Sequence, residues 1–269
     1  MELYKTIDDT TILLSTDYEL VKKAVENKEP AIFLITNENR FSESGLARYA
    51  FEIEEFTKDD YDNSGKYTGS PACLKSEEIL NMLTDKEARR LIAKCKGEPV
   101  IIADNGHLEL REMSEADIDY IVELYLSEGA SFLERFFNEE EEAREILKHY
   151  MDNVYDFYGY GLWSLYEKNK DNKSRFVGLT GFTDRAENDE NMPDNLELGF
   201  AIMPKDRGRG LATEGAELAI NYAKENIVFH KILINTDPSN KAAVAVATAM
   251  IRKAGFLQNT DGCYQYISP

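Results

Sequence analysis

One short segment carries most of the chemistry that can be read from this chain: Arg207-Gly208-Arg209-Gly210-Leu211-Ala212. It joins an apolar run, Leu196–Met203 (LELGFAIM), to an amphipathic run reaching about Asn226, in which Leu211, Leu218, Ala219, Tyr222 and Ala223 share a stripe. Glycines directly between a strand and a helix let backbone N–H groups face outward, where side chains would otherwise block approach. The helix dipole reinforces those donors, so such a turn suits a pyrophosphate. Neither G-x-G-x-x-G nor G-x-x-x-x-G-K-S/T is present, which disfavours a dinucleotide-binding Rossmann loop and a Walker loop. Gly-x-Gly alone reads as readily as a plain turn; its setting between strand and helix gives it weight. Glu197 is the second candidate, the one charged residue in an apolar strand. Burial there would raise a carboxyl pKa toward a value useful to a general base. The alternative is a strand-end Glu hydrogen-bonded for structure.

Other reactive residue types form no constellation. His107, His149 and His230 lie far apart and match no metal-ligand spacing, so no metal is expected. Cys73, Cys95 and Cys263 are odd in number and form no CxxC, which indicates neither a disulfide framework nor a zinc site. Lys and Arg total 31 against 50 Asp and Glu, a net charge of −19. That field repels polyanions, which excludes nucleic acid as the expected partner. It suits cationic ligands such as amines or basic peptide termini, or simply solubility. No apolar run approaches the roughly 18–20 residues needed to span a bilayer. The start, Met1-Glu2-Leu3-Tyr4-Lys5, lacks the pattern of a signal peptide. A cytoplasmic protein with no membrane partner is the expectation.

The elements that must position these residues fall into two groups, as a prior of roughly 100–200 residues per domain suggests. In the first group, Thr11–Ser15 and Ala31–Thr36 are short buried-strand runs, and Tyr49–Ile53 is a weaker third. Asp17 is placed to cap a helix running to about Asn27. Thr57–Ser70 reads as an exposed loop and Ser76–Lys96 as one helix. Pro99–Ala103 (PVIIA) is another strand, and Asp104-Asn105-Gly106 is turn chemistry. The expectation is a small parallel α/β domain over 1–106, with the boundary near 104–107. The short junction argues that this domain is not a freely tethered passenger and helps form or shield the acceptor side. In the second group, Leu108–Met113 is a strand, Ser114 caps a helix to about Ser127, and Glu139 to about Tyr158 forms a long helix. Tyr160–Tyr166 and Phe176–Phe182 read as a hairpin ahead of the Leu196–Met203 strand. Ile232–Asn235, Lys241–Lys253 closed by Gly255, and Cys263–Ile267 complete a strand, a helix and a last strand.

The first domain's layout weakly resembles part of the haloacid-dehalogenase-like fold, but its Asp-x-Asp-x-Thr/Val nucleophile motif is missing. Asp8-Asp9-Thr10 precedes the strand with the wrong spacing. A packing or substrate-covering domain without chemistry of its own is expected. The second domain, about residues 107–269, resembles the GCN5-related N-acetyltransferase (GNAT) superfamily. Arg207 to Ala212 matches that family's Arg/Gln-x-x-Gly-x-Gly/Ala signature at every defined position. Leu196-Glu197-Leu198-Gly199-Phe200 and Ala212-Thr213-Glu214 look like the branch of ribosomal-protein N-terminal acetyltransferases. Arg111 with Asp117, Asn240, and Lys253-Ala254-Gly255-Phe256 also fall in the family's order.

The resemblance implies a mixed, V-splayed sheet with acetyl-CoA in the splay, and direct acetyl transfer to a primary amine of a small molecule or a peptide N-terminus. It implies pantetheine pairing with the backbone of Ala201, Ile202 and Met203. The pyrophosphate would lie on the N–H groups of Arg207, Gly208, Arg209, Gly210, Leu211 and Ala212, and Asn240 would touch pantetheine. Glu197 is the expected general base, because an ammonium must lose a proton before it attacks a thioester. Two departures stand out. The interval from Asn240 to Gly255 is about one helical turn longer than the family's usual spacing. The Tyr that often protonates the leaving thiolate is absent from Val244–Met250. Tyr160, Tyr264 and Tyr266 are possible substitutes, each also readable as core, so no general acid is named. Trp163, Tyr155, Phe157, Tyr158 and Tyr160 are readable either as an acceptor pocket or as core packing. These departures also motivate a rival reading, a catalytically silent acyl-CoA-binding module.

Overall fold

A computed structural model describes residues 1–35, 50–52, 54–55, 72–73, 75–127, 140–169, 171, 173–184, 195–260 and 262–268. The loop expected over Thr57–Ser70 lies outside these. The chain divides into two units, Met1–Val100 and Ile101–Pro269.

The first unit holds β1 (Glu2–Ile7), β2 (Thr10–Ser15), α1 (Tyr18–Glu26), β3 (Ala31–Ile35), β4 (Ala50–Glu52), β5 (Glu54–Glu55), β6 (Ala72–Cys73), α2 (Ser76–Met82) and α3 (Asp85–Lys96). Its main sheet runs β1-β2-β3-β4, with β2, β3 and β4 parallel as expected. The expectation of a purely parallel sheet needs correction, because β1 adds an antiparallel edge to β2. Asp8 and Asp9, at φ 47° and 63°, form the two-residue turn between them, the left-handed pairing that hairpins favour. Strands β2 and β3 carry continuous apolar runs because both of their faces are covered. Ile12, Leu14, Ile32 and Leu34 meet Ile79, Leu83, Ala88 and Ile92, while Ala31 and Phe33 meet Val21 and Ala24 of α1. Asp17 caps α1 by accepting from the Leu20 N–H. The single helix expected over Ser76–Lys96 is two. Thr84 and Glu87 exchange bonds in a capping box, which starts a new helix at Asp85.

The second unit holds β7 (Ile101–Asp104), β8 (Leu108–Arg111), a 3₁₀ turn (Glu115–Asp117), α4 (Ile118–Leu126), α5 (Glu140–Tyr158), β9 (Leu162–Lys168), β10 (Ser174–Asp184) and β11 (Asn195–Ile202). A second 3₁₀ turn (Pro204–Asp206) leads to α6 (Leu211–Asn226), β12 (Lys231–Asn235), α7 (Lys241–Ala254), β13 (Leu257–Thr260) and β14 (Cys263–Ile267). Its eight-stranded sheet runs β13-β14-β12-β11-β10-β9-β8-β7. The PVIIA segment, expected in the first domain, pairs antiparallel with β8 instead, so the partition falls at 100/101, ahead of the Asp-Asn-Gly turn. Every neighbouring pair is antiparallel except β11 and β12, which α6 connects. Helix α6 packs on β7, β8, β10 and β11, where Trp163 meets Tyr222 and Phe182 edge to face. On the opposite face, Ser164 and Tyr166 of β9 reach Asp117 ahead of α4. Among the described residues no helix is long and apolar enough to cross a membrane.

A candidate active site where two parallel strands part

Strands β11 and β12 pair over only three positions: Asn195 with Lys231, Leu196 with Ile232, and Glu197 with Leu233. Beyond Glu197 the two strands have no further register, although β11 runs on to Ile202 and β12 to Asn235. This is a V-shaped opening with Glu197 at its apex. The backbone of Ala201 and Ile202 is held on the other side by Leu179 and Gly178 of β10, and Met203 N–H donates to the Val177 carbonyl at 2.9 Å. The edge of β11 facing the opening, where the resemblance expects pantetheine at Ala201, Ile202 and Met203, has no pairing with β12 beyond Glu197.

Glu197 is half-buried, so the burial expected of it is partial. Its pairing with the parallel neighbour stops at this point. Asn235 Nδ2 donates to Glu197 Oε1 at 3.1 Å across the apex. Cross-strand alternation puts Glu197 on the face shared by Leu162 and Ser164, away from α6.

The loop after β11 is built as a cradle. Gly208 and Gly210 have φ of 75° and 83°, the left-handed region that glycine enters at little cost. A Cβ at either would meet nothing within 4 Å, so what these positions need is the backbone conformation and an open approach. Gly210 is the N-cap of α6, and no side chain caps that end. The first-turn amides have no intrahelical acceptors, those of Leu211 and Ala212 among them. Arg207 Nε donates to the Ile202 carbonyl at 3.0 Å, folding its side chain back along the loop.

Arg209 turns toward the sheet. Its guanidinium pairs with Glu167 of β9 and, at 3.0 Å, with Asp206. Arg175 of β10 grips the same two carboxylates, binding Asp206 through two bonds of 2.8 and 2.7 Å. Arg175 holds the Asp206 carboxyl below the usual carboxylate range, and Arg209 does the same for Glu167. His107 sits between Glu214 of α6, at 3.0 Å, and Glu167, at 3.3 Å. The Glu214 bond, with Glu167 behind it, raises its pKa. Asn105 also donates to Glu214, at 2.9 Å.

The remaining expected site residues divide. Asn240 is the N-cap of α7, its Oδ1 accepting from the Ala243 N–H at 3.1 Å. Any bond it donates to a ligand would come from Nδ2. Tyr264 is buried, and the half-buried Tyr266 lies under Lys224 and against Phe256, so both pack on the core. Trp163 and Tyr155 are core as well, with the Tyr155 hydroxyl bridging the Met113 N–H and the Leu162 carbonyl. Phe157 is 80% exposed and Tyr158 43%. They form a surface cluster with Tyr160.

Sequence reading missed Asn235, His107, Glu167 and Arg175, which are brought to the site by strand pairing and carry no local signal. Asp206 and Glu214 flank the loop within the very segment that drew attention, and their charge opposite two arginines was the available clue. Among the described residues no group of His, Cys, Asp and Glu is arranged to hold a metal ion.

Solved structures of similar fold include a GNAT-family acetyltransferase from Bacillus anthracis, 18% identical, covering 61% of this chain and 97% of its own, at a TM-score of 0.48. A ribosomal L7/L12 α-N-protein acetyltransferase is 17% identical, covering 64% and 96%, at 0.48. Spermidine N-acetyltransferase from Vibrio cholerae, solved with CoA and spermine, is 17% identical, covering 61% and 96%, at 0.46. The model of the acetyltransferase (GNAT) domain matches residues 107–256, more than half of the sequence. The chain belongs to the GNAT acetyltransferase family.

Proposed function

We propose that the chain is an acetyl-CoA-dependent N-acetyltransferase acting directly on a primary amine, carried by a small molecule or a peptide N-terminus. The observation that carries this is the opening between β11 and β12, with a carboxylate at its apex and an uncapped, glycine-built helix N-terminus at its mouth. The residues present fit the cosubstrate, since a Cβ at Gly208 or Gly210 would stand in otherwise open space where a diphosphate must approach. Acetyl-CoA supplies an activated acetyl thioester. The backbone of Ala201, Ile202 and Met203 aligns the pantetheine arm along β11, and the amides of Arg207 to Ala212 take the pyrophosphate. Glu197 is the general base, drawing a proton from the incoming ammonium, with Asn235 fixing the carboxylate's orientation.

The acceptor side is the face of Glu197. Phe182 N–H donates to the Gly161 carbonyl at 3.0 Å, and continuing that register sets Tyr160 opposite Thr183, the cross-strand partner of Glu197. The exposed rings of Tyr158 and Phe157 extend the same edge, and a cationic acceptor suits both those rings and a net charge of −19. The first unit is assigned no chemistry of its own, since Asp8 and Asp9 are committed to a hairpin turn and Asp8 to Arg89.

Calorimetry with acetyl-CoA, followed by CoA-thiol release across a panel of amines, tests the reading. Binding with turnover of at least one amine is expected. Binding without turnover of any amine establishes the silent acyl-CoA module instead, a reading favoured by the burial of Tyr264 and the packing of Tyr266 against Phe256. No binding removes the cosubstrate altogether.

A further inference from the structure

Arg175 and Glu167 are directly opposite one another on β10 and β9, a rigid pair inside the sheet. Two charges from the loop dock onto that pair: Asp206, which is 4% exposed, and Arg209. The four charges cancel. Beyond them, His107 links Glu167 to Glu214 in the first turn of α6. The loop is thus gripped before, within and after its two glycines, residues that otherwise lose the most conformational freedom on ordering. A guanidinium with both terminal nitrogens on carboxylates is poorly placed to serve as a phosphate ligand as well.

We propose that the Glu167–Arg175–Asp206–Arg209 cluster is the device that sets the shape of the cofactor loop, and that Arg209 is a positioning residue, not a phosphate contact. The inference rests on the reading that acetyl-CoA lies on this loop. It has a consequence of opposite sign to simple electrostatics. Glu167→Gln removes a negative charge from beside an anion site, yet it also releases Arg175 and Arg209 from their anchor. If the cluster positions the loop, acetyl-CoA affinity in the full-length variant falls about five- to twentyfold, less than for loss of a direct charge-assisted contact because the loop amides are still present. KM for acetyl-CoA then rises by a similar factor, while kcat and the KM for the amine stay within about twofold, a split that general destabilisation does not produce. If Arg209 meets the phosphates directly, freeing it leaves affinity unchanged or tighter, and that result overturns the proposal.

Arg209→Gln gives an independent measurement should Glu167→Gln fold poorly. The salt dependence of acetyl-CoA binding keeps its wild-type slope for a positioning residue and flattens for a phosphate contact. Failure of wild-type protein to bind acetyl-CoA would count against the cosubstrate reading, and the cluster's role is then decided without ligand. Amide hydrogen exchange over residues 207–213 accelerates in ligand-free Glu167→Gln if the cluster shapes the loop. Unchanged exchange overturns it.

Discussion

On the proposed mechanism Gly210 serves binding and Glu197 proton transfer, so their replacement should give different phenotypes. Gly210→Asp places a Cβ in open space at φ 83°, a strain of about 1–2 kcal/mol that the fold should survive. Its carboxylate would stand where the proposed mechanism brings in the diphosphate. Losing one charge-assisted N–H contact costs on the order of 1.5–3 kcal/mol, roughly ten- to more than a hundredfold in affinity, and repulsion adds to this. Calorimetry should therefore show acetyl-CoA binding falling toward the limit of detection while the protein still melts cooperatively. Glu197→Gln keeps the side chain's shape and an oxygen for Asn235. Acetyl-CoA should bind nearly as before, while turnover at neutral pH falls roughly 10²–10⁴-fold. The deficit should shrink as pH approaches the amine's own pKa, where free amine no longer needs the enzyme to deprotonate it. Near-normal turnover at neutral pH would assign proton transfer to another group. Both residues were legible in the sequence because strand, loop and helix are contiguous there. The half-exposure of Glu197 was not, because it depends on a parallel partner more than thirty residues away that stops pairing at that position.

Between elements, buried polar contacts fix the sheet face that carries Glu197, and an ionic one holds the start of α6. The Tyr155 hydroxyl ties α5 to both ends of its neighbours, accepting from the Met113 N–H and donating to the Leu162 carbonyl. Tyr155→Phe leaves that N–H buried without its acceptor, which should cost about 1–3 kcal/mol in denaturant unfolding. His107 ties the β7–β8 turn to α6 through Glu214. Its pKa is raised in the fold, so its contribution to stability is fully present below the unfolded value of about 6.5 and is lost as pH rises through the folded value. The Tm gap between wild type and His107→Gln should be widest near pH 5.5–6, above the range where the carboxylates protonate, and should close in mildly alkaline buffer. A gap that does not change with pH would show that the ring acts by packing. The helices and central strands of this unit were legible because their period and caps are local. The break between α2 and α3 was passed over because the apolar stripe runs on through Leu83, and the cue lay in the Thr84–Glu87 capping box instead. The first strand, β1, alternates exposed and half-buried positions, so it lacks the continuous apolar run that marks β2 and β3.

At the scale of the whole molecule, the partition of the chain determines what can be isolated. Turn chemistry at Asp104-Asn105-Gly106 suggested a cut at 106/107, but that turn is a hairpin within the second unit and not a junction between units. Strand β7 pairs with β8, contacts α6, and contributes Ile102 and Ala103 to the core around it. Asn105 adds bonds to Leu108 N–H and Glu214, and Asp104 pairs with Lys168. A fragment beginning at residue 107 therefore loses an edge strand, half of the hold on Glu214 and the cover over β8. A fragment beginning at residue 101 keeps all three, together with every residue of the Glu167–Arg175–Asp206–Arg209 cluster. The 101–269 fragment should melt at least about 5 °C above 107–269, since each kcal/mol is worth roughly 2–4 °C at this size. The shorter fragment, with the paired edge of β8 uncovered, should also self-associate in light scattering. The longer fragment should bind acetyl-CoA as the full chain does, because no described anchor of the loop precedes residue 101. Comparing its amine preference with that of the full chain then isolates what the first unit contributes. A changed preference supports a role for residues 1–100 in acceptor selection, and identical kinetics remove that role. Equal melting of the two fragments would show that β7 adds nothing to the sheet it completes.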